Sequence, residues 1–265
     1  MIPDLTARTE DAVRWLVLDR PDAGNSVTRA MQRSLIENLQ SASSDPDIRA
    51  VVLTGQGDRH FCTGPNLHDP GMQPKKDRVA GDAARILRTG SQAVVSALLD
   101  CEKPVLCALN GAAAGVGASM VLACDLIVAA ESASLIELFA RRGLAPDGGA
   151  AYLLARKVPF NVAKKLLFFG EELSAPEAYR IGLINKVVAD GDLASEATAW
   201  ARRLAQGPTR ALAAAKAMLN QAFDVDREAA FRTEALLVEQ VAGTDDVAEG
   251  MAAFVERRDP DFRGR

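Results

Sequence analysis

Residues 103–120, KPVLCALNGAAAGVGASM, constrain the fold of this chain more than any other stretch. An apolar run with strand character, 104–109, meets Asn110-Gly111, then a turn of small residues, then a segment with helical character. Gly and Ala in the turn let a ligand approach the backbone closely. The helix that follows opens with N–H groups lacking intrahelical acceptors and with the positive end of its dipole. Such a strand, turn and helix suit negative charge, either a phosphate or an oxyanion that develops during a reaction. The remainder of the chain bears on which.

The order of elements is that of an α/β protein. Alternating Val, Trp and Val mark a strand over 12–19, ended by Arg20-Pro21. Residues 28–42 have helical spacing (Met31, Leu35, Leu39), with Thr28 as the cap. A short buried strand follows at 50–54, and 79–99 reads as one long helix. Residues 105–109 and 126–130 are strands, with a helix over 115–124 between them. Fully apolar strands that alternate with helices need a sheet covered on both faces.

Beyond Gly149 the pattern turns helical, broken at Pro159 and interrupted by a last strand at 183–188. From 193 onward four helices are expected, at 193–205, 209–223, 227–241 and 245–258. We divide the chain into an α/β core, residues 1–200, and a helical C-terminal region, residues 201–265. Apolar positions on the last helices (Leu212, Met218, Leu219, Phe231, Leu236, Leu237, Val238) need a cover, which a second subunit would supply.

Charge and composition exclude several function classes. A net charge of −4 without a basic stripe argues against nucleic-acid binding. No apolar run approaches the ~20 residues that span a bilayer. The first residues, MIPDLTARTEDAV, have no apolar core, so a cytoplasmic location is expected. Four cysteines without a CxxC pair read as buried free thiols in a reducing compartment, and two histidines do not make a His-rich metal centre.

Two readings compete for the anion site. Gly115-Val116-Gly117 begins a dinucleotide-type GxGxxG, and Glu131 ends the next strand. Met120 fills the third glycine position, however, and opposes close helix–strand packing. The second reading draws on 55–69, GQGDRHFCTGPNLHD, again a strand followed by a small-residue turn at Thr63-Gly64 and then Pro65. Two such turns can converge their amides on one oxygen, where each donor contributes ~3–4 kcal/mol in the transition state.

These segments resemble the crotonase (enoyl-CoA hydratase/isomerase) superfamily over essentially the whole chain. The resemblance is carried by RPDAGNS at 20–26, VVLTGQGDRHFCTGPNL at 51–67 and KPVLCALNGAAAGVGASMVLACDLIVA at 103–129. GLAPDGGAAYLLARKV at 143–158, LSAPEAYRIGLINKVV at 173–188 and EGMAAFVERRDPDF at 249–262 complete it. The resemblance implies an α/β fold, a crotonase-like spiral of ββα units with a C-terminal helical trimerisation region. It also implies an acyl-CoA thioester substrate whose enolate is held by two backbone amides. One amide falls on Val116, after Gly115. The other falls on Pro65, which has no N–H, so Gly64 or Asn66 would have to substitute, or the hole is half built.

The family's two hydratase glutamates fall on Ser119, four residues after Gly115, and on Phe139, four before Gly143. Glu131 and Glu137 are out of register. Asp147 matches the aspartate that the family's ring-oxepin and enoyl-CoA isomerases use to shuttle a proton. A lone carboxylate in an apolar cleft has a raised pKa, suited to taking and returning one proton. By the same resemblance the coenzyme A part falls to Ala23 and Asn25 near adenine, and to Arg59 and His68 near phosphate. Phe254 and Arg257 would act across a subunit boundary, and Leu67 and Pro65 lie beside the thioester. Asp147 also has the plain explanation of a helix cap, and Ser119 of a packed helix residue.

The sequence thus supports enoyl-CoA isomerisation through Asp147 with Val116 as the main oxyanion donor. It needs no metal or redox cofactor, and a homotrimer or dimer of trimers is expected. Hydration by another acid/base set, or acyl-CoA binding without catalysis, are the alternatives.

Overall fold

The computed structural model describes residues 4–66, 68–69 and 79–265. The chain opens with a hairpin, β1 (Leu5–Glu10) antiparallel to β2 (Val13–Leu18), turned at Asp11 and Ala12, both at positive φ. Parallel to β2 run β3 (Ala50–Gly55), β5 (Val105–Leu109), β7 (Leu126–Ala130) and β10 (Lys186–Val188), giving the order β1-β2-β3-β5-β7-β10. β3 and β5 are almost wholly buried, as their unbroken apolar runs require.

A second sheet is built from strands of three residues: β4 (His60–Cys62), β6 (Ala112–Ala114), β8 (Ser134–Ile136) and β9 (Glu172–Ser174), in the order β4-β6-β8-β9. The chain passes from β3 to β4, from β5 to β6 and from β7 to β8, each time leaving the small sheet into helix or 3-10 turn. That repetition is the expected spiral of ββα units. Strands this short carry no period-2 pattern; of the four, only the one before the Thr63-Gly64 turn was expected from the sequence.

Helix α1 (Arg29–Ser44) starts where expected, with the Thr28 hydroxyl accepting the Met31 N–H at 3.0 Å. The single helix expected over 79–99 is instead two, α2 (Asp82–Thr89) and α3 (Ser91–Asp100). Gly90 breaks it with φ −116° and ψ −107°, and a Cβ there would sit 2.7 Å from the Ile86 carbonyl oxygen. Every residue of α4 (Val116–Ala123) is buried. Pro159 separates α5 (Ala150–Lys157) from α6 (Phe160–Phe169). A Ser174/Glu177 capping box then opens α7 (Ala175–Arg180).

Helix α8 (Leu193–Ala205) lays Ala197, Ala201 and Ala205 against β3, β5 and β7. A boundary at residue 200 therefore cuts a helix that belongs to the core. The outlying region is α9 (Thr209–Gln221), α10 (Arg227–Ala242) and α11 (Asp245–Glu256). Leu219, Phe231, Leu236 and Val238 are exposed there, and Leu212, Met218 and Leu237 half-buried.

One buried cation pins this region to the core. Lys216 on α9 reaches Asp125 at 2.8 Å and donates to the Leu98 carbonyl at 3.0 Å and the Lys103 carbonyl at 3.3 Å. Removing one partner of a buried pair leaves the other uncompensated. Lys216→Met is expected to lower unfolding free energy by about 3 kcal/mol in urea titration. A loss below about 1 kcal/mol would show that the pair behaves as an exposed one.

Candidate active site

Two glycine turns meet at the start of α4. Gly115 has φ 55° and ψ −120°, a backbone that side chains with a Cβ rarely adopt, and its N–H donates to the Ile136 carbonyl at 3.0 Å. Val116 is the first helical residue, so its N–H has no acceptor within the helix. A Cβ at Gly117 would overlap the Cys62 carbonyl oxygen, so only glycine lets α4 lie this close to β4. One at Gly64 would lie 3.3 Å from the Ala114 carbonyl. The two turns, which the sequence reading expected to converge, lie side by side.

Around Pro65 the backbone pairs with Val27. Val27 donates to the Gly64 carbonyl at 2.8 Å and accepts from the Asn66 N–H at 2.8 Å, forming a parallel bridge with Pro65. In such a bridge the central residue's own nitrogen points away from its partner strand. That nitrogen is proline's and carries no hydrogen. The Asn66 N–H, committed to Val27, is withdrawn from any ligand. The Gly64 N–H forms no backbone bond among the described residues. His68 is exposed, its backbone N–H on the Asn66 side chain at 3.1 Å, and Leu67 lies outside the described residues.

Asp147 sits in the turn that leans on this helix start. A Cβ at Gly148 would be 3.2 Å from the Ser119 hydroxyl oxygen and 3.4 Å from a Val116 methyl carbon. The Ser119 hydroxyl donates to the Asp147 carbonyl at 3.5 Å. The N-cap of α5 is Gly149, with no side-chain hydrogen bond, so Asp147 is not its cap. Burial raises the pKa of the half-buried carboxyl.

A second carboxyl shares the site, and sequence register had set it aside. Glu137 follows β8 directly and is 3% exposed, with neither carboxylate oxygen hydrogen-bonded. Burial, and then the charge of Asp147, push its pKa up to about 8. Burial raises the Asp147 pKa as well, and Glu137 is raised in addition by the neighbouring Asp147 charge. A glutamate within the apolar run SLIELF was the available sign. Phe139, which stands where the resemblance places a family glutamate, is buried, and a Cβ added at Gly115 would lie 3.8 Å from its ring tip; Ser119 is fully buried.

The residues expected near coenzyme A divide. Pro21, Asp22, Gly24, Gln56, Gly57, Asp58, Arg59 and His60 line a pocket of about 380 Å³. Asn25 stands beneath it, fully buried, its side chain donating to the Gln56 and His60 carbonyls at 3.0 and 2.7 Å. It therefore shapes the pocket wall, while Ala23 is exposed at the rim. No residue of α11 lines this pocket; Phe254 is 81% exposed, and Arg257 ends the helix at φ 53°. A single chain does not bring those two to Arg59.

Cys62, beside the helix start, is a buried thiol with its pKa pushed up to about 12, which removes it as a nucleophile. Among the described residues no helix is long and apolar enough to cross a membrane. No group of three or more His, Cys, Asp or Glu there could hold a metal ion.

Successive strand–strand–helix turns around a glycine-opened helix define a member of the crotonase superfamily. More narrowly, the chain belongs to the enoyl-CoA hydratase/isomerase family, whose model matches residues 8–265. It is 38% identical over 250 residues to a "Probable enoyl-CoA hydratase" of Rhodobacter capsulatus, covering 94% of each chain. It is 35% identical to the 1,2-epoxyphenylacetyl-CoA isomerase of Escherichia coli, covering 100% of each. The crystal structure of an enoyl-CoA hydratase from Polaromonas sp. superposes with a TM-score of 0.89 at 33% identity, over 97% of this chain and 99% of that one.

Proposed function

We propose that this enzyme isomerises the double bond of an enoyl-CoA. The Val116 N–H holds the thioester oxygen and Asp147 removes the α-proton to form a dienolate. The observation that supports this reading is the packing of Gly148 on Ser119 and Val116 in the first turn of α4, which brings Asp147, whose carboxyl has a raised pKa, into the segment next to that helix start. Arg59 and the pocket beside it would take the nucleotide end of coenzyme A, and the reaction needs no metal or redox cofactor. The relative from Escherichia coli, an isomerase of an epoxidised phenylacetyl-CoA by its name, supports isomerisation of an acyl-CoA in general terms. The exposed apolar residues of α10 and α11 support a homotrimer or dimer of trimers, in which Phe254 and Arg257 of one subunit complete a neighbour's site.

Hydration is the second reading, favoured by the name of the relative from Rhodobacter capsulatus. The two separate when crotonyl-CoA hydration and the shift of a 3-enoyl-CoA double bond are assayed on one preparation. Faster isomerisation is the expected result. Hydration alone would establish the second reading, and neither reaction would leave acyl-CoA binding.

The gap at Pro65 gives its own prediction. Pro65→Ala supplies an N–H where the backbone nitrogen faces away from Val27, and is expected to raise kcat about tenfold. An unchanged kcat would assign the second hydrogen bond to Gly64.

A further inference from the structure

We infer that Glu137 is a second catalytic carboxyl of this site, the proton donor that works opposite Asp147. The inference rests on the enolate chemistry proposed above. Its basis is placement. Glu137 comes one residue after Ile136, whose carbonyl fixes the Gly115 N–H at 3.0 Å and so fixes the start of α4. The side chain is 97% buried, yet both oxygens lack a partner, an arrangement that costs free energy and is unusual outside functional sites.

Among the described residues no countercharge pairs with it as half of a structural ion pair, and Asp147 is the charged group there that acts on it. Arg141 packs against Gly170, beside the Glu137 backbone, with a guanidinium nitrogen 3.5 Å from the Gly170 carbonyl, and makes no ion pair with the carboxyl among the described residues. Glu172 on the neighbouring strand β9 is opposite Ile136, exposed, and of the same sign. Ser134 and Ser119 contribute no hydrogen bond to it.

Two carboxyls that lose their protons in a fixed order divide the labour of the reaction. Near neutral pH Asp147 is the carboxylate and Glu137 the acid. Asp147 takes the α-proton of a 3-enoyl thioester, and the electron pair of that C–H bond forms a C1=C2 double bond as the carbonyl π pair moves onto the thioester oxygen, giving a dienolate conjugated with the C3=C4 double bond. Glu137 gives its own proton to the γ-carbon as the dienolate collapses, leaving the 2-enoyl product. The proton on Asp147 then moves to Glu137, the more basic group, directly or through one water, and the site is reset. Nothing else is consumed or released.

A single-carboxyl shuttle would behave differently. It would carry label from C2 to C4 of the same molecule, whereas two carboxyls place a different proton at C4. A 3-enoyl-CoA dideuterated at C2 is therefore converted in a single turnover, with enzyme in excess in ordinary water, by wild type, Glu137→Gln and Glu137→Asp, and the pH profiles are taken separately in the steady state. Wild type is expected to give product with protium at C4, and kcat/KM that falls as pH rises through about 8. In Glu137→Gln, kcat drops about 100-fold, the upper pH limb disappears and deuterium appears at C4. Glu137→Asp restores part of the rate and the limb, which a merely structural role would not do.

A Glu137→Gln enzyme with wild-type rate, limb and label distribution would overturn the inference. Failure of wild type to isomerise would instead count against the proposed reaction. Glu137 is then read from crotonyl-CoA hydration, where loss of the upper limb in Glu137→Gln supports the donor role and an unchanged profile overturns it.

Discussion

Asp147→Asn is expected to lower kcat for double-bond isomerisation about 10³-fold, or about 4 kcal/mol in the barrier. The amide keeps the size and polarity of the side chain but cannot accept the α-proton. KM is expected to move little, because Asp147 acts on the reacting carbon and not on the coenzyme A handle. The wild-type pH profile should agree. Burial raises the Asp147 pKa, so kcat/KM falls as pH drops through that raised value and the carboxylate is protonated. Steady-state kinetics across pH check both statements. A loss below tenfold would remove Asp147 from the chemistry and return it to a turn residue.

Glu137→Gln is expected to stabilise the protein at alkaline pH. The folded pKa is about 8 against an ordinary value of 4.5. The folded state therefore holds this proton more tightly than the unfolded chain does. Between those two values each pH unit of increase costs about 1.4 kcal/mol. The stability of the neutral form is complete below about pH 4.5 and lost as pH rises through about 8. Glutamine carries no such charge, though its amide retains a desolvation cost. Relative to their difference at pH 4.5, the variant is expected to gain about 5 kcal/mol over wild type by pH 9 in urea unfolding. Parallel stability curves would show that the carboxyl is solvated or paired. A residue that weakens the fold where the enzyme works fits the trade between stability and function.

The strands β5 and β7 and the helix α8 were legible in the sequence to the residue, the strands because each is a short unbroken apolar run bounded by proline or polar residues and the helix because its alanines recur at helical spacing. Most of the second sheet was not. Three residues such as Ala112 to Ala114 have no pattern of their own and become a strand only when β4 and β8 flank them. Gly90 breaks a helix that its neighbours favour, through a close approach of Ile86 and α1 side chains that no local pattern encodes.

The site was legible in the same uneven way. Pro65 lacks an N–H in any fold, so its consequence could be read directly. That Asn66 cannot replace it depends on the pairing with Val27, far away in the chain. Glu137 could not be recognised by position, because its role rests on burial without a partner, a property of the folded molecule. Asp147 was found from its place in GLAPDGG, and only the folded turn separates it from a helix cap.

The central claim is that a thioester oxygen is gripped by the Val116 main chain while Asp147 faces the α-carbon. A crystal structure with a slowly reacting acyl-CoA thioester tests it most directly. The thioester oxygen should stand about 2.7–3.1 Å from the Val116 nitrogen, with the Asp147 carboxylate against the α-carbon. An oxygen bound away from the start of α4, or Asp147 turned to solvent while the acyl chain lies elsewhere, would contradict it.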